Sequence, residues 1–162
     1  MGTRPTKAKD NIFCKARLDA ARYNDKLKSR AGAAEALGYA SESTISDWEL
    51  GISVPTPEAV LKMSDLYNAP ELINTYCHNL CPLGWDIPEI TAQDLDRISI
   101  KALSSFQKIS KTKEELLDIV SDGIISEDEQ PTLEKVLSSL DELNAVTQEL
   151  KAWVTKNCRK DE

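Results

Sequence analysis

Between Ser29 and Gly51 the sequence reads SRAGAAEALGYASESTISDWELG, and its punctuation leaves little freedom in how the chain folds. Ser29 is placed to cap a helix whose apolar side is Ala33, Ala34 and Leu37, and Gly38 is placed to stop it. Ser41 caps a second helix that turns Ile45 and Trp48 inward and ends at Gly51. Each segment is about two turns long, too short to persist without tertiary support. The small side chains of Ala33 and Ala34 allow close approach, and the turn from Gly38 to Ser41 sends the second helix steeply across the first. The spacing therefore predicts a helix-turn-helix whose second helix presents Glu42, Ser43, Thr44, Ser46 and Asp47 outward. Short hydroxyl side chains on such a face suit close approach to phosphates and base edges.

The same 3.6-residue rhythm recurs along the chain, and strand-type alternation is nearly absent. In NIFCKARLDAARYN, Ile12, Ala16, Ala20 and Tyr23 fall on one helical face, with Lys15, Arg17 and Arg22 on others. A fourth helix starts near Pro57, which a first turn tolerates, with Val60, Leu61, Met63 and Leu66 inward. A fifth, PELINTYCHNLC, closes this group before Pro82. Beyond it, Asp94 is placed to cap a helix carrying Leu95, Ile98, Ala102, Phe106, Ile109, Leu116, Ile119 and Val120 on one side. Ser126 is placed to cap another, carrying Leu133, Val136, Leu140, Leu143, Thr147, Leu150 and Val154. The expected class is all-α: a five-helix domain followed by a long antiparallel helical hairpin. The expected divisions are a flexible basic arm over 1–10, the helix-turn-helix domain over 11–85, a linker over 86–93 and the hairpin over 94–157.

Charge qualifies this picture. The 162 residues carry a net −7, which by itself argues against a polyanionic partner. The first thirty residues, however, hold nine Lys or Arg and three Asp, a surplus of +6, and the remainder stands at −13. A basic front on an acidic body suits a protein that meets phosphate with one face. No apolar run reaches membrane-spanning length and the charged N-terminus lacks a secretion-signal core, so a cytoplasmic protein without membrane association is expected.

Cys77, His78 and Cys81 offer ligand types for zinc, but a structural site needs four ligands and the CxxC knuckle is absent; buried reduced thiols are the expected state, with no metal and no cofactor. SDGIISEDE superficially follows a calcium loop through Asp122, Gly123, Glu127 and Asp128, but fails its spacing. Without a Gly-rich phosphate loop, a metal centre or a base–nucleophile pair, an enzyme is not expected.

The residues Ser29, AAEALG (Ala33 to Gly38), STISDWELG (Ser43 to Gly51) and Pro55 resemble the Xre-type helix-turn-helix regulators related to phage lambda Cro and repressor. The resemblance extends from about Phe13 to Asn79, and LYNAPELINTYCHNLCPLGW with its helical tail is similar to a subgroup carried by bacterial phages and mobile elements. It implies a lambda-repressor-like domain and a transcription regulator, a repressor, whose partner is double-stranded DNA. Arg30 takes the place of a Gln that usually meets the DNA backbone, and suits either phosphate or a guanine edge. On this reading Ser41, Glu42, Ser43, Thr44, Ser46 and Asp47 line the DNA surface. Lys15, Arg17, Lys26 and Lys28 hold the backbone, and Arg4 and Lys7 of the arm enter a neighbouring minor groove.

A lone hairpin would leave part of each apolar stripe in water, whereas two hairpins form a four-helix bundle. A homodimer is therefore expected, through Leu133, Val136, Leu140, Leu143, Leu150, Trp153 and Val154, with folding of the hairpin back onto its own domain as the competing arrangement. A second functional reading is an adaptor that uses the helix-turn-helix scaffold to hold a protein partner without touching DNA. The composition names no small-molecule effector.

Overall fold

A computed structural model of the chain describes residues 8, 10–120 and 124–158. Of the expected arm over 1–10 only Ala8 and Asp10 are among these residues; Arg4 and Lys7 fall outside them, as do Asp122 and Gly123. The described residues contain helices and no strand, and they divide into two compact units, Met1–Ile87 and Pro88–Glu162.

The first unit holds α1 (Ile12–Ala20), a short 3₁₀ turn (Asp25–Lys28), α2 (Arg30–Leu37), α3 (Glu42–Glu49), α4 (Pro57–Leu66) and α5 (Glu71–Asn79). Local chemistry sets the boundaries. The side chains of Asn11, Asn24, Ser29, Ser41 and Thr56 each accept a backbone N–H at the start of the element that follows, satisfying donors that a helix leaves orphaned. Gly38 ends α2 at φ +80°, and the following N–H of Tyr39 bonds back to Ala34 O at 2.8 Å. That left-handed turn favours glycine because a Cβ would be strained there.

The core of this unit gathers Phe13, Leu27, Ala33, Leu37, Ile45, Trp48, Val60, Met63, Tyr67 and Leu72. Two sequence assignments shift here. Helix α1 buries Phe13, Cys14 and Arg17, whereas Ile12, Ala16 and Ala20 are only partly covered and Tyr23 is 92% exposed. The inward face is rotated by one residue because Phe13, the largest apolar side chain in α1, takes the centre. In α4, Leu61 is exposed; Ala59, Val60, Met63 and Ser64 face inward instead. The close approach is tighter than the alanines alone provide: a Cβ on Gly32 would stand 2.0 Å from Lys26 O, so only glycine lets α2 lie against the 3₁₀ turn.

The second unit is the pair α6 (Leu95–Ile119) and α7 (Gln130–Asn157). Ion pairs Lys101–Glu149 and Lys108–Glu142 join them, and a seven-residue advance along α6 matches a seven-residue retreat along α7, so the helices are antiparallel. The buried residues of α6, Ile98, Ser105, Thr112 and Ile119, recur every seven residues, the spacing of a coiled-coil seam. Thr112 Oγ1 satisfies itself by donating to Lys108 O at 3.0 Å. A single neighbour covers only that narrow seam, so Leu95, Phe106 and Val120, expected inward, are exposed. Asp94 precedes α6 without a side-chain cap bond. Ser126 does not cap α7 directly: it heads a turn in which Glu129 Oε2 accepts from the Ser126 N–H at 2.8 Å and from its hydroxyl at 2.7 Å, and the helix begins at Gln130.

Candidate nucleic-acid interface

The Ser41 hydroxyl starts α3 by accepting from Ser43 N at 3.2 Å, and lies 2.7 Å from the Ser43 hydroxyl. The helix then buries Ile45, Ser46, Trp48 and Glu49. Glu42 and Ser43 are exposed, and Thr44 and Asp47 half-exposed. The outward surface is thus made of Ser41, Glu42, Ser43, Thr44 and Asp47, narrower than expected. Ser46 is the exception: at 8% exposed, its short side chain falls inside the edge of the buried face, on the Glu49 side of Ile45, and is poorly placed to reach a base.

Several contacts fix α3 against its neighbours. Trp48 meets Tyr39 edge-on, with ring centroids 5.2 Å apart at 87°, a favoured aromatic geometry. The Asn11 amide, whose oxygen caps α1, donates from its nitrogen to Trp48 O at 3.0 Å.

The largest correction concerns Arg17, expected to hold a phosphate. It is 5% exposed and lies inside the domain. Its Nε donates to Glu49 Oε1 at 2.6 Å, its second terminal nitrogen to Glu49 Oε2 at 3.2 Å, and its first to Leu27 O at 2.7 Å. One guanidinium therefore ties α1, the 3₁₀ turn and α3 together, with every bond a charge-assisted or buried one. It has no free face for DNA.

The same carboxylate also receives Arg30. Arg30 Nε donates to Glu49 Oε2 at 2.8 Å, and the Arg30 side chain stays 32% exposed. Burial alone would push the Glu49 carboxyl up; the hydrogen bonds and charges of Arg17 and Arg30 outweigh it and hold the group below the ordinary carboxylate value. Two cations against one anion leave the cluster a net positive unit at the root of the α3 surface. Because Arg30 is anchored through Nε, its two terminal nitrogens are the ones left to meet an outside acceptor, and at the first position of α2 a phosphate is the natural one.

The remaining expected cations are peripheral. Lys15 is exposed; Lys26 and Lys28 are exposed and paired with Glu35 at 3.4 Å and Asp25 at 2.6 Å. Exposed pairs of this kind are worth about 0–1 kcal/mol, so either lysine is exchangeable for a phosphate. Cys77, His78 and Cys81 are half-buried, and His78 Nδ1–H donates to Ile87 O at 2.6 Å. Among the described residues no three His, Cys, Asp or Glu side chains gather as a metal-holding group, and no helix is long and apolar enough to cross a membrane.

Sequence reasoning missed the roles of Glu49, Asn11 and Gly32. A signal for Glu49 existed: it stands four residues after Ile45, on the apolar face of α3, as Arg17 stands four after Phe13 on that of α1.

Residues 17–72, from within α1 to the start of α5, match the family model of a helix-turn-helix domain. Comparisons with curated proteins and with solved structures give no match.

Proposed function

We propose that this helix-turn-helix chain is a DNA-binding transcription regulator, a repressor of the Xre type that acts as a homodimer on a palindromic operator. In this account α3 enters the major groove, Ser43 and Thr44 meet base edges, and Glu42 accepts from a cytosine amino group. Arg30 grips a phosphate beside the groove, and Lys15, Lys26 and Lys28 add backbone contacts that position without specifying. Two copies set their recognition helices about 34 Å apart, one turn of duplex. Occupation of such a site denies the same duplex to other proteins, so repression is the expected outcome.

The observation that carries this reading is the outward Ser- and Thr-bearing surface of α3 with the anchored guanidinium of Arg30 at its edge, within a segment matching a helix-turn-helix domain. Titration of mixed-sequence duplex at several salt concentrations tests it. Arg30→Gln removes one phosphate contact, so affinity falls on every sequence and the slope of log K against log salt flattens by about 0.9. Unchanged affinity and slope would remove Arg30 from the interface.

The adaptor reading draws on one observation, the carboxylates of Glu42 and Asp47 on the α3 surface, which repel a polyanion. Passage of the protein through a DNA column at low salt without retention would favour it.

A further inference from the structure

The hairpin has two unlike faces. One carries the ion pairs Lys101–Glu149 and Lys108–Glu142 and a groove of about 470 Å³ with the small residues Ser104, Ser105 and Ala145 in its lining. The other is apolar. Helical spacing from the seam residues puts Leu103, Phe106 and Leu117 of α6 on the same side of the pair as Leu137, Leu140 and Val154 of α7. These six side chains are between 44% and 63% exposed.

We infer that this apolar face is the contact with a second copy of the chain, and that both helices contribute to it equally. The inference rests on the two-copy reading above and replaces the α7-centred set of interface residues. Val136, one of that set, is 1% exposed: it points at α6 and is spent within the hairpin.

Two observations select a second copy as the occupant. The first is area. Six large side chains about half-exposed, with Leu95, Val120 and Leu150 at their edges, leave on the order of 700 Å² of apolar surface, against the roughly 300–600 Å² of a monomer's largest patch and the about 800 Å² each partner gives a standard interface. The second is symmetry. On the register set by the two ion pairs, Val154 lies level with Asp96, Leu140 with Ser110 and Leu137 with Lys113. The apolar side chains therefore run from one end of the hairpin to the other, with Phe106 and Leu140 flanking its middle. A two-fold axis lying in the plane of that face, parallel to the helices, lays α6 of one copy on α7 of the other. The apolar side chains of each α6, Leu103, Phe106 and Leu117, then lie along the apolar side of the partner's α7, a self-complementary arrangement of the kind closed dimers use.

Light scattering on the full chain at micromolar concentration, with circular dichroism on the same samples, tests this. The wild type has twice the mass of one chain. Leu103→Glu combined with Leu140→Glu halves that mass while helical signal persists, and Ile100→Glu, on the ion-paired face, leaves it doubled. A monomeric wild type overturns the inference, as does a dimer that survives Leu103→Glu with Leu140→Glu. If the double variant loses its helical signal, Phe106→Ser alone is read by the dilution at which the dimer dissociates, and an unchanged value overturns the inference. DNA retention of the same samples separates the two readings: a dimer without retention defeats the DNA-binding account alone, and a retained monomer defeats this inference and the two-copy arrangement while DNA binding stands.

Discussion

Glu49 is where structure and recognition meet. It is a carboxylate 1% exposed, held by two guanidiniums, and its removal leaves Arg17 charged and unpaired inside the domain. Glu49→Gln should cost about 3–5 kcal/mol at neutral pH, the range for breaking a buried pair from one side, measured by urea unfolding. Because the folded carboxyl titrates below its ordinary value of 4.5, its stabilising contribution is complete above that value and is lost as pH falls through the lower, folded one. Stability of the wild type should therefore decline on acidification below about pH 4.5, and the Glu49→Gln profile should lack that part of the decline. Equal acid limbs in the two proteins would contradict the assignment. The cluster also marks where sequence reading stops. A 3.6-residue rhythm identifies apolar positions, and a charge inside such a stripe reads as solvent-facing until its opposite appears on another helix.

At the scale of elements, the caps were legible because each is a local event: Ser29, Ser41, Gly38 and Gly51 act on backbone groups within a few residues of themselves. What one element demands of another was less so. Gly32 looks like a helix-weakening residue in sequence, yet its lack of a Cβ is what admits Lys26 O. Gly38 is needed for its backbone angle alone, since a Cβ there meets nothing within 4 Å. Gly38→Ala should cost about 1–2 kcal/mol, the price of left-handed backbone. Gly32→Ala must also push the 3₁₀ turn away and should cost more. Thermal unfolding of the two variants orders them, and a Gly32→Ala protein at least as stable as Gly38→Ala would contradict the close approach. The hairpin shows the same division. Its period was plain from Leu133 to Val154, but which of the two flanks of that stripe meets α6 depends on the partner helix, and Val136 was placed at the wrong contact for that reason.

For the whole molecule, the uneven charge acquires a location. Among the described residues of the first thirty, Arg17 and Arg30 are drawn into the Glu49 cluster while Lys15, Lys26 and Lys28 are exposed, so Arg17 adds nothing to the cationic surface. An acidic remainder discourages contact elsewhere. In the proposed account, phosphate contacts from Arg30 and the exposed lysines supply binding strength and the α3 surface supplies specificity. The most direct measurement is selection of the full chain on a random duplex library, repeated with Ser43→Ala and Thr44→Ala. The account predicts one preferred sequence of two inverted half-sites, with preference at defined positions relaxed by these variants while non-specific retention is kept. A library returned without sequence preference, or a preference that both variants leave untouched, would contradict it.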